Sequence, residues 1–185
     1  MWGGLGLALV LCLLPGGGTE SQGSSARCKE PPEWQIEESS PMQNSRGSVT
    51  VVALLQCLHF ICDAWSDSSF YELEDLRVKL ENEGLVNISY MVVNHQGIHS
   101  QLKIHTLKEK VSENIIVYQQ DENQTDVWTT LNGNKDDFLI YDRCGRLVYH
   151  LGLPYSFLTF PYVEDSIKIA YCEYKCGNCS YMVLS

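Results

Sequence analysis

The side chains best suited to chemistry sit where a strongly apolar run ends. Ser48 to Leu55 (SVTVVALL) is nearly all apolar and rich in valine, and it leads into Gln56-Cys57-Leu58-His59-Phe60-Ile61-Cys62. The run has the length and composition of a buried strand and is too short to span a bilayer. A helical pattern follows it. In open α/β sheets, ligands and reactive groups gather in the crevice beyond the carboxyl ends of the strands. Cys57, His59 and Cys62 are therefore the candidate centre. A thiol at the start of a helix has its pKa lowered by the helix dipole, which makes it a better nucleophile and redox group. An imidazole at His59 would lower the pKa of Cys62 if the two met, as in other thiol nucleophiles. The plainer alternative is an inert His59 and a helix-start thiol at Cys62, open to oxidation with Cys57. Cys57-x4-Cys62 is not the spacing of a common redox motif, so spacing does not choose between them.

Two other groups stand out. Cys176-Gly177-Asn178-Cys179 is a Cys-x-x-Cys pair. With Cys172 it offers zinc three thiolates, but no histidine lies nearby, and an oxidising compartment favours disulfides. The expectation is no metal and a Cys176–Cys179 bridge, with Cys144 a free thiol in a turn. The second group is basic. His95, His99, Lys103, His105, Lys108 and Lys110 fall within 16 residues, and Glu109 is the only acid among them. His99, Lys103 and Lys110 follow a helical stripe of about i, i+4, i+11. In an acidic chain this local reversal suggests an anionic partner such as a heparin-like glycosaminoglycan; the bland alternative is a solvated helix face. The histidines would strengthen such binding as pH falls below about 6.5. Glu72, Glu74, Asp75, Asp136 and Asp137 read as solvated surface. The chain has no Gly-rich phosphate loop, no Gly-x-Ser-x-Gly elbow and no zinc-protease helix.

Several elements must position these groups. Leu73, Leu76 and Leu80 recur at i, i+3, i+7, so Tyr71 to Glu83 is predicted helical, capped by Ser68 or Ser69 and stopped at Gly84. Val86 to Val93 reads as a second buried strand, and His99 to Val111 as an amphipathic helix with Ile104, Leu107 and Val111 inward. Ile115 to Gln119 is a third strand, followed by a polar stretch from Asp121 to Asp136. Phe138 to Asp142 and Leu147 to Leu151 form a hairpin across Arg143-Cys144-Gly145-Arg146. A last helix runs from about Pro161 to Tyr171. Strands alternating with helices mean an α/β fold with a mixed central sheet and a late hairpin. A thioredoxin-like architecture matches this order and size.

Met1 to Thr19 reads as a secretory signal: Leu5 to Leu14 is a short apolar core, followed by Pro15 and small residues. Ten apolar residues fall short of the roughly 20 that a membrane span needs. Of eight cysteines, Cys12 leaves with the signal, so seven remain and one thiol is left over or pairs outside the chain. Three sequons at Asn87, Asn123 and Asn178 agree with secretion, the third with Cys179 at its centre. Residues 20–47, rich in Ser, Pro and Glu, read as a flexible lead-in that Cys28 and Trp34 can pin. Residues 48–172 make the domain, and 173–185 a Cys-rich end. A net charge of −10 argues against nucleic acid as the main partner.

Long segments resemble the selenoprotein P family: GSVTVVALLQ (47–56), the block from LEDLRVKL to NHQGIHSQLK (73–103), and the run VYQQDENQTDVWTTLNGNKDDFLIYDRCGRLVYHLG (117–152). The likeness resumes through LPYSFLTFPYVEDSIKIAYCEYKCGNCS and is thin only from Cys57 to about Glu72. It implies a plasma glycoprotein whose N-terminal thioredoxin-like domain carries a selenocysteine-x-x-cysteine pair and binds heparin. Extracellular redox defence and selenium delivery to cells through a selenocysteine-rich tail are also implied. Counting from Leu54-Leu55-Gln56, the selenocysteine position falls on His59 and the motif's cysteine on Cys62. An imidazole forms no selenenyl-sulfide, so this chain is expected to carry no cofactor and no selenium of its own. The family continues past Ser185, where it would supply Cys172 with a partner. Both departures fit a truncated form in which the selenocysteine codon was bypassed. The expected function is that of a secreted glycoprotein domain in selenium supply and antioxidant defence. The alternatives are an extracellular thiol oxidoreductase or peroxidase using Cys62, and a heparin- or receptor-binding module without catalysis.

Overall fold

The computed structural model describes residues 26–56 and 66–181, without the side chains of 66–70. The cleavable leader expected at 1–19 lies outside the described residues. Valine and leucine in unbroken succession make β1 (Val49–Leu55), all seven residues of which are buried. A strand covered on both faces carries no polar alternation. β1 lies at the centre of a five-stranded sheet. On one side it pairs in parallel with β2 (Ile88–Asn94), which pairs in parallel with β3 (Ile116–Gln119) at the edge. On the other it pairs antiparallel with β4 (Asp137–Tyr141), and β5 (Leu147–Leu151) closes the hairpin at the far edge. This is the α/β architecture with mixed sheet and late hairpin that the residue pattern implies.

The two faces of β1 feed separate cores. Val49, Val51, Ala53 and Leu55 pack against α2 (Ser66–Asn82), α4 (Ile104–Lys110) and α6 (Tyr162–Cys172) through Leu73, Leu80, Leu107, Val163 and Ile167. Val52 and Leu54 face the other way, onto Met91, Val93, Leu139 and Tyr141. Among the described residues no long helix covers that side. It is closed by α5 (Val127–Thr130), with Trp128, and by Trp34 and Ile36 of the lead-in. From residue 26 onward the lead-in is held on the body, with Trp34 buried and Cys28 bridged, the two residues expected to pin it. Cys28 N–H donates to the Leu147 carbonyl at 2.7 Å, Leu147 N–H donates to the Lys29 carbonyl at 2.9 Å, and α1 (Pro41–Asn44) leads into β1. The physical reason is the even-numbered face of β1, which would otherwise meet water.

Two other elements differ from the residue pattern. The helix expected over His99–Val111 is broken into α3 (Ile98–Gln101) and α4. The Ser100 carbonyl, which a continuous helix would give to Ile104, accepts instead from Lys103 N–H at 3.2 Å and from Asn94 Nδ2 at 2.9 Å. The polar stretch 121–136 holds α5, whose cap Asp126 accepts from the Trp128 and Thr129 N–H groups.

Because Trp34 closes the second core, Trp34→Ala is expected to lower the free energy of unfolding by about 3–5 kcal/mol in urea melts. A loss below about 1 kcal/mol would mean that the lead-in covers nothing that matters.

Candidate functional site

β1 and β2 finish level, with Leu55 opposite Asn94, and Asn94 is opposite Gln119 in β3. Gln56 therefore leaves the sheet at a rim shared by three parallel strand ends. Cys57, His59 and Cys62, the expected centre, lie outside the described residues.

On the β2–β3 side the rim is a lattice of amides. Asn94 Nδ2 donates to Gln119 Oε1 at 2.6 Å as well as to Ser100, and Gln120 Nε2 donates to the Asn94 carbonyl at 3.1 Å. Gln120 Oε1 in turn accepts from Val127 N–H at 2.6 Å, and Trp128 Nε1 donates to the Val93 carbonyl at 3.0 Å. Buried amides joined in this way fix the strand ends relative to one another. Asn94 Oδ1 and Ser100 Oγ are buried beside this lattice without a hydrogen-bond partner.

On the β4 side, Asp137 stands opposite Leu54, and Asp136 N–H donates to the Leu54 carbonyl at 2.8 Å. Asp137 is buried, which corrects its reading as solvated surface. Its Oδ2 accepts from Asn134 N–H at 2.8 Å and lies 2.7 Å from His150 Nε2. The reason is register: β5 places His150 opposite Leu139, on the face that Asp137 also occupies. A Cβ at Gly152 would fall 2.9 Å from Asp137 Oδ1, so the absence of a side chain there admits the carboxylate. The only hint in the sequence is a histidine inside the apolar run of β5. Glu74, also read as solvated surface, is held by Arg77 through two hydrogen bonds of 2.7 and 2.8 Å, which keep its carboxyl below the usual range.

The cysteines at the C-terminal end pair differently from expectation. Cys28 is bridged to Cys176 and Cys144 to Cys179, with Cα separations of 5.0 and 5.8 Å. The expected Cys176–Cys179 bridge and the free thiol at Cys144 are both overturned. Cys172 is also disulfide-bonded, and among the described residues no cysteine is free. Arg146 explains the geometry. Its guanidinium is paired with Asp142 at 2.8 Å and donates to the Cys176 and Gly177 carbonyls at 2.6 and 2.9 Å. With Gly177 at φ +81°, the segment is laid over the β4–β5 turn, where Cys144 sits and where the start of the lead-in also runs.

The basic residues divide in two. His95 is half-buried: its Nδ1 accepts from Gly97 N–H at 3.0 Å and its ring meets Trp128 edge-on at 4.9 Å. It serves the fold. His99, His105 and Lys108 are exposed, and Lys103 and Lys110 are half-buried. Because α3 and α4 are separate, His99, Lys103 and Lys110 do not lie on one continuous stripe. His105 and Lys108, three apart on α4, do share a face. Asn87, Asn123 and Asn178 are all exposed.

A family model described as "Selenoprotein P, N terminal region" matches residues 23–185. The chain is 70% identical to human (Homo sapiens) selenoprotein P and 71% identical to the Bos taurus protein, each over 184 residues, 100% of this chain and 47% and 45% of theirs. It is 50% identical to Danio rerio selenoprotein Pa over 97% of this chain and 48% of that one. The chain thus spans about half the length of these relatives. Among solved structures, a putative protein disulfide isomerase from Bacteroides thetaiotaomicron aligns with a TM-score of 0.54 at 12% identity, covering 78% of this chain and 89% of that one. A thioredoxin-like protein from Aeropyrum pernix aligns with a TM-score of 0.53 at 14% identity, covering 74% and 88%. These two likenesses establish the thioredoxin-like fold.

Proteolysis without reduction is expected to release linked peptides containing Cys28 with Cys176 and Cys144 with Cys179. A peptide closed on itself between Cys176 and Cys179 would contradict this pairing.

Proposed function

The chain belongs to the selenoprotein P family, and on that premise we propose that it is a secreted, glycosylated domain whose working surface binds an anionic glycan. The observation that carries this reading is the cationic edge of α3 and α4, with His99, His105 and Lys108 exposed in a chain of net charge −10. Sulfated glycosaminoglycan is a dense polyanion, and clustered cations gain from it what scattered ones do not. Lys103 and Lys110 flank the exposed trio, whereas His95 is excluded because its ring is committed to Trp128 and Gly97. Exposure of Asn87, Asn123 and Asn178 is compatible with glycan attachment, and export through the secretory route would supply the oxidising setting for the bridges. The family role in selenium supply and extracellular antioxidant defence extends to this chain only in part, because His59 stands at the selenocysteine position and offers no selenium. A cell-surface receptor is a further partner that the family role implies.

The second reading is a thiol oxidoreductase or peroxidase working through Cys62, with His59 and Cys57 beside it. What favours it is β1, which brings Gln56 to the rim of the sheet where α/β folds assemble reactive groups.

On immobilised heparin, Lys108→Glu combined with His105→Glu is expected to weaken retention roughly tenfold in affinity, about 1.4 kcal/mol. Retention of the unaltered chain is expected to rise from pH 7.5 to pH 5.5, because imidazoles gain positive charge as pH falls. Unchanged elution of the double variant would remove the glycan reading. In disulfide-reduction and peroxide assays, Cys62→Ser is expected to match the unaltered chain; turnover that needs Cys62 would select the oxidoreductase instead.

A further inference from the structure

The connection from β5 to α6, residues 152–161, is short but heavily aromatic. Its chain is held by its own hydrogen bonds: Tyr155 and Ser156 N–H donate to the Gly152 carbonyl, and Phe160 N–H donates to that of Phe157. Tyr155 stacks edge-on against Tyr162 at 5.1 Å, Phe157 against Phe160 at 6.3 Å, and Phe160 leans on Tyr162 at 6.1 Å. The rings are fixed by one another, yet Phe157 and Phe160 remain 41% and 49% exposed. Large apolar side chains held rigid and left open to water mark an interaction surface more often than a folding residue.

Across from this loop runs the first half of α2. Between them lies a groove of about 370 Å³, with Leu158 and Phe160 on one side and Glu72, Asp75 and Lys79 on the other. The charges in it do not balance. Lys79 pairs with Glu164 at 2.7 Å, and Glu164 also takes Lys168 at 2.8 Å. Burial alone would raise the Glu164 carboxyl, but those two cations hold it below the usual range. Glu72 and Asp75, three apart on α2, have no cationic partner among the described residues. The groove therefore joins an apolar wall of Leu158, Phe160 and Pro161 to two carboxylates without a cationic partner among the described residues.

We propose that this groove docks a lysine- or arginine-bearing segment of a partner polypeptide. Such a side chain lays its aliphatic stem on apolar surface while its charged head reaches a carboxylate. Its cation also gains when it lies over the face of an adjacent ring. The charge excludes competing occupants. A polyanion such as the glycan proposed above would be repelled, and a second copy of a chain with net charge −10 would approach against its own field. The inference does not depend on the glycan reading, which concerns the other side of α2.

The test uses a fluorescent hexapeptide of alternating leucine and lysine, the same peptide with acetylated lysines, and the full chain, read by anisotropy. Binding of the lysine peptide is expected. It should weaken at least about tenfold on acetylation, in Glu72→Gln/Asp75→Asn, and in Phe160→Ala. The control Glu37→Gln/Glu38→Gln, on the exposed lead-in, should bind as the unaltered chain does. No binding of the lysine peptide would overturn the proposal, as would equal binding of the acetylated one or an equal loss in the control. Sedimentation velocity supplies the remaining arm: a dimer that Phe160→Ala dissolves would assign the groove to a second copy and overturn the proposal. Of the five substituted side chains all but Glu72 are exposed, and unchanged urea midpoints identify variants that keep the fold.

Discussion

A strand with no solvent face constrains the rest of this molecule. Every residue of β1 is buried, so each of its two faces needs a cover that the chain must supply. Three helices supply one. The other receives only a four-residue helix and a lead-in whose composition is that of a loop. Trp34 and Ile36 turn that lead-in into part of the core, because large apolar side chains clustered with Val52 and Leu54 remove apolar surface from water. Burial of one central strand thus explains why residues before the domain proper are folded at all.

The same need explains where the chain ends are tied. The lead-in has little regular structure of its own beyond the Ile36–Ser39 pair and the single turn of α1. Here it is held by two hydrogen bonds to β5 and by the bridge from Cys28 to Cys176. The C-terminal segment is held by Arg146 and by the bridge from Cys144 to Cys179. Both ties converge on the β4–β5 turn. Cross-links between positions far apart in sequence restrict the unfolded chain most, and the separations here are 148 and 35 residues. A local Cys176–Cys179 bridge would have closed a loop too small to hold either end.

How much of this could be read from the residues differs by kind of interaction. β1, the leucine stripe of α2 and the hairpin were legible because each is a local period: an apolar run, an i, i+3, i+7 repeat, and a glycine between two apolar stretches. The break between α3 and α4 was not, because the Ser100 carbonyl there accepts from Asn94 of β2, a contact outside the local period. Asp137 read as surface because its partner, His150, lies across a strand pairing and not along the chain. The disulfides failed for the same reason: Cys-x-x-Cys is a local motif, and the contact that decided the outcome was Arg146 reaching over from a turn thirty residues away. Of the basic residues, His105 and Lys108 are exposed, but His95 carries a ring contact that no helical wheel contains.

Net charge is a poor guide to what such a domain meets. At −10 it would be expected to avoid polyanions altogether. Screening over roughly 8–10 Å at physiological salt makes surface charge a local property, so patches on opposite sides of one helix act nearly independently. On one side of α2, α4 turns exposed cations outward. On the other, α2 and α6 share an ion-pair network, Lys79 and Lys168 on Glu164 with Lys168 also on Glu83, which consumes the cations and leaves Glu72 and Asp75 unanswered. The segregation follows from that network: each lysine drawn inward toward Glu164 is one fewer to neutralise the groove. The two surfaces that flank α2 are thus of opposite sign, although both belong to one acidic chain.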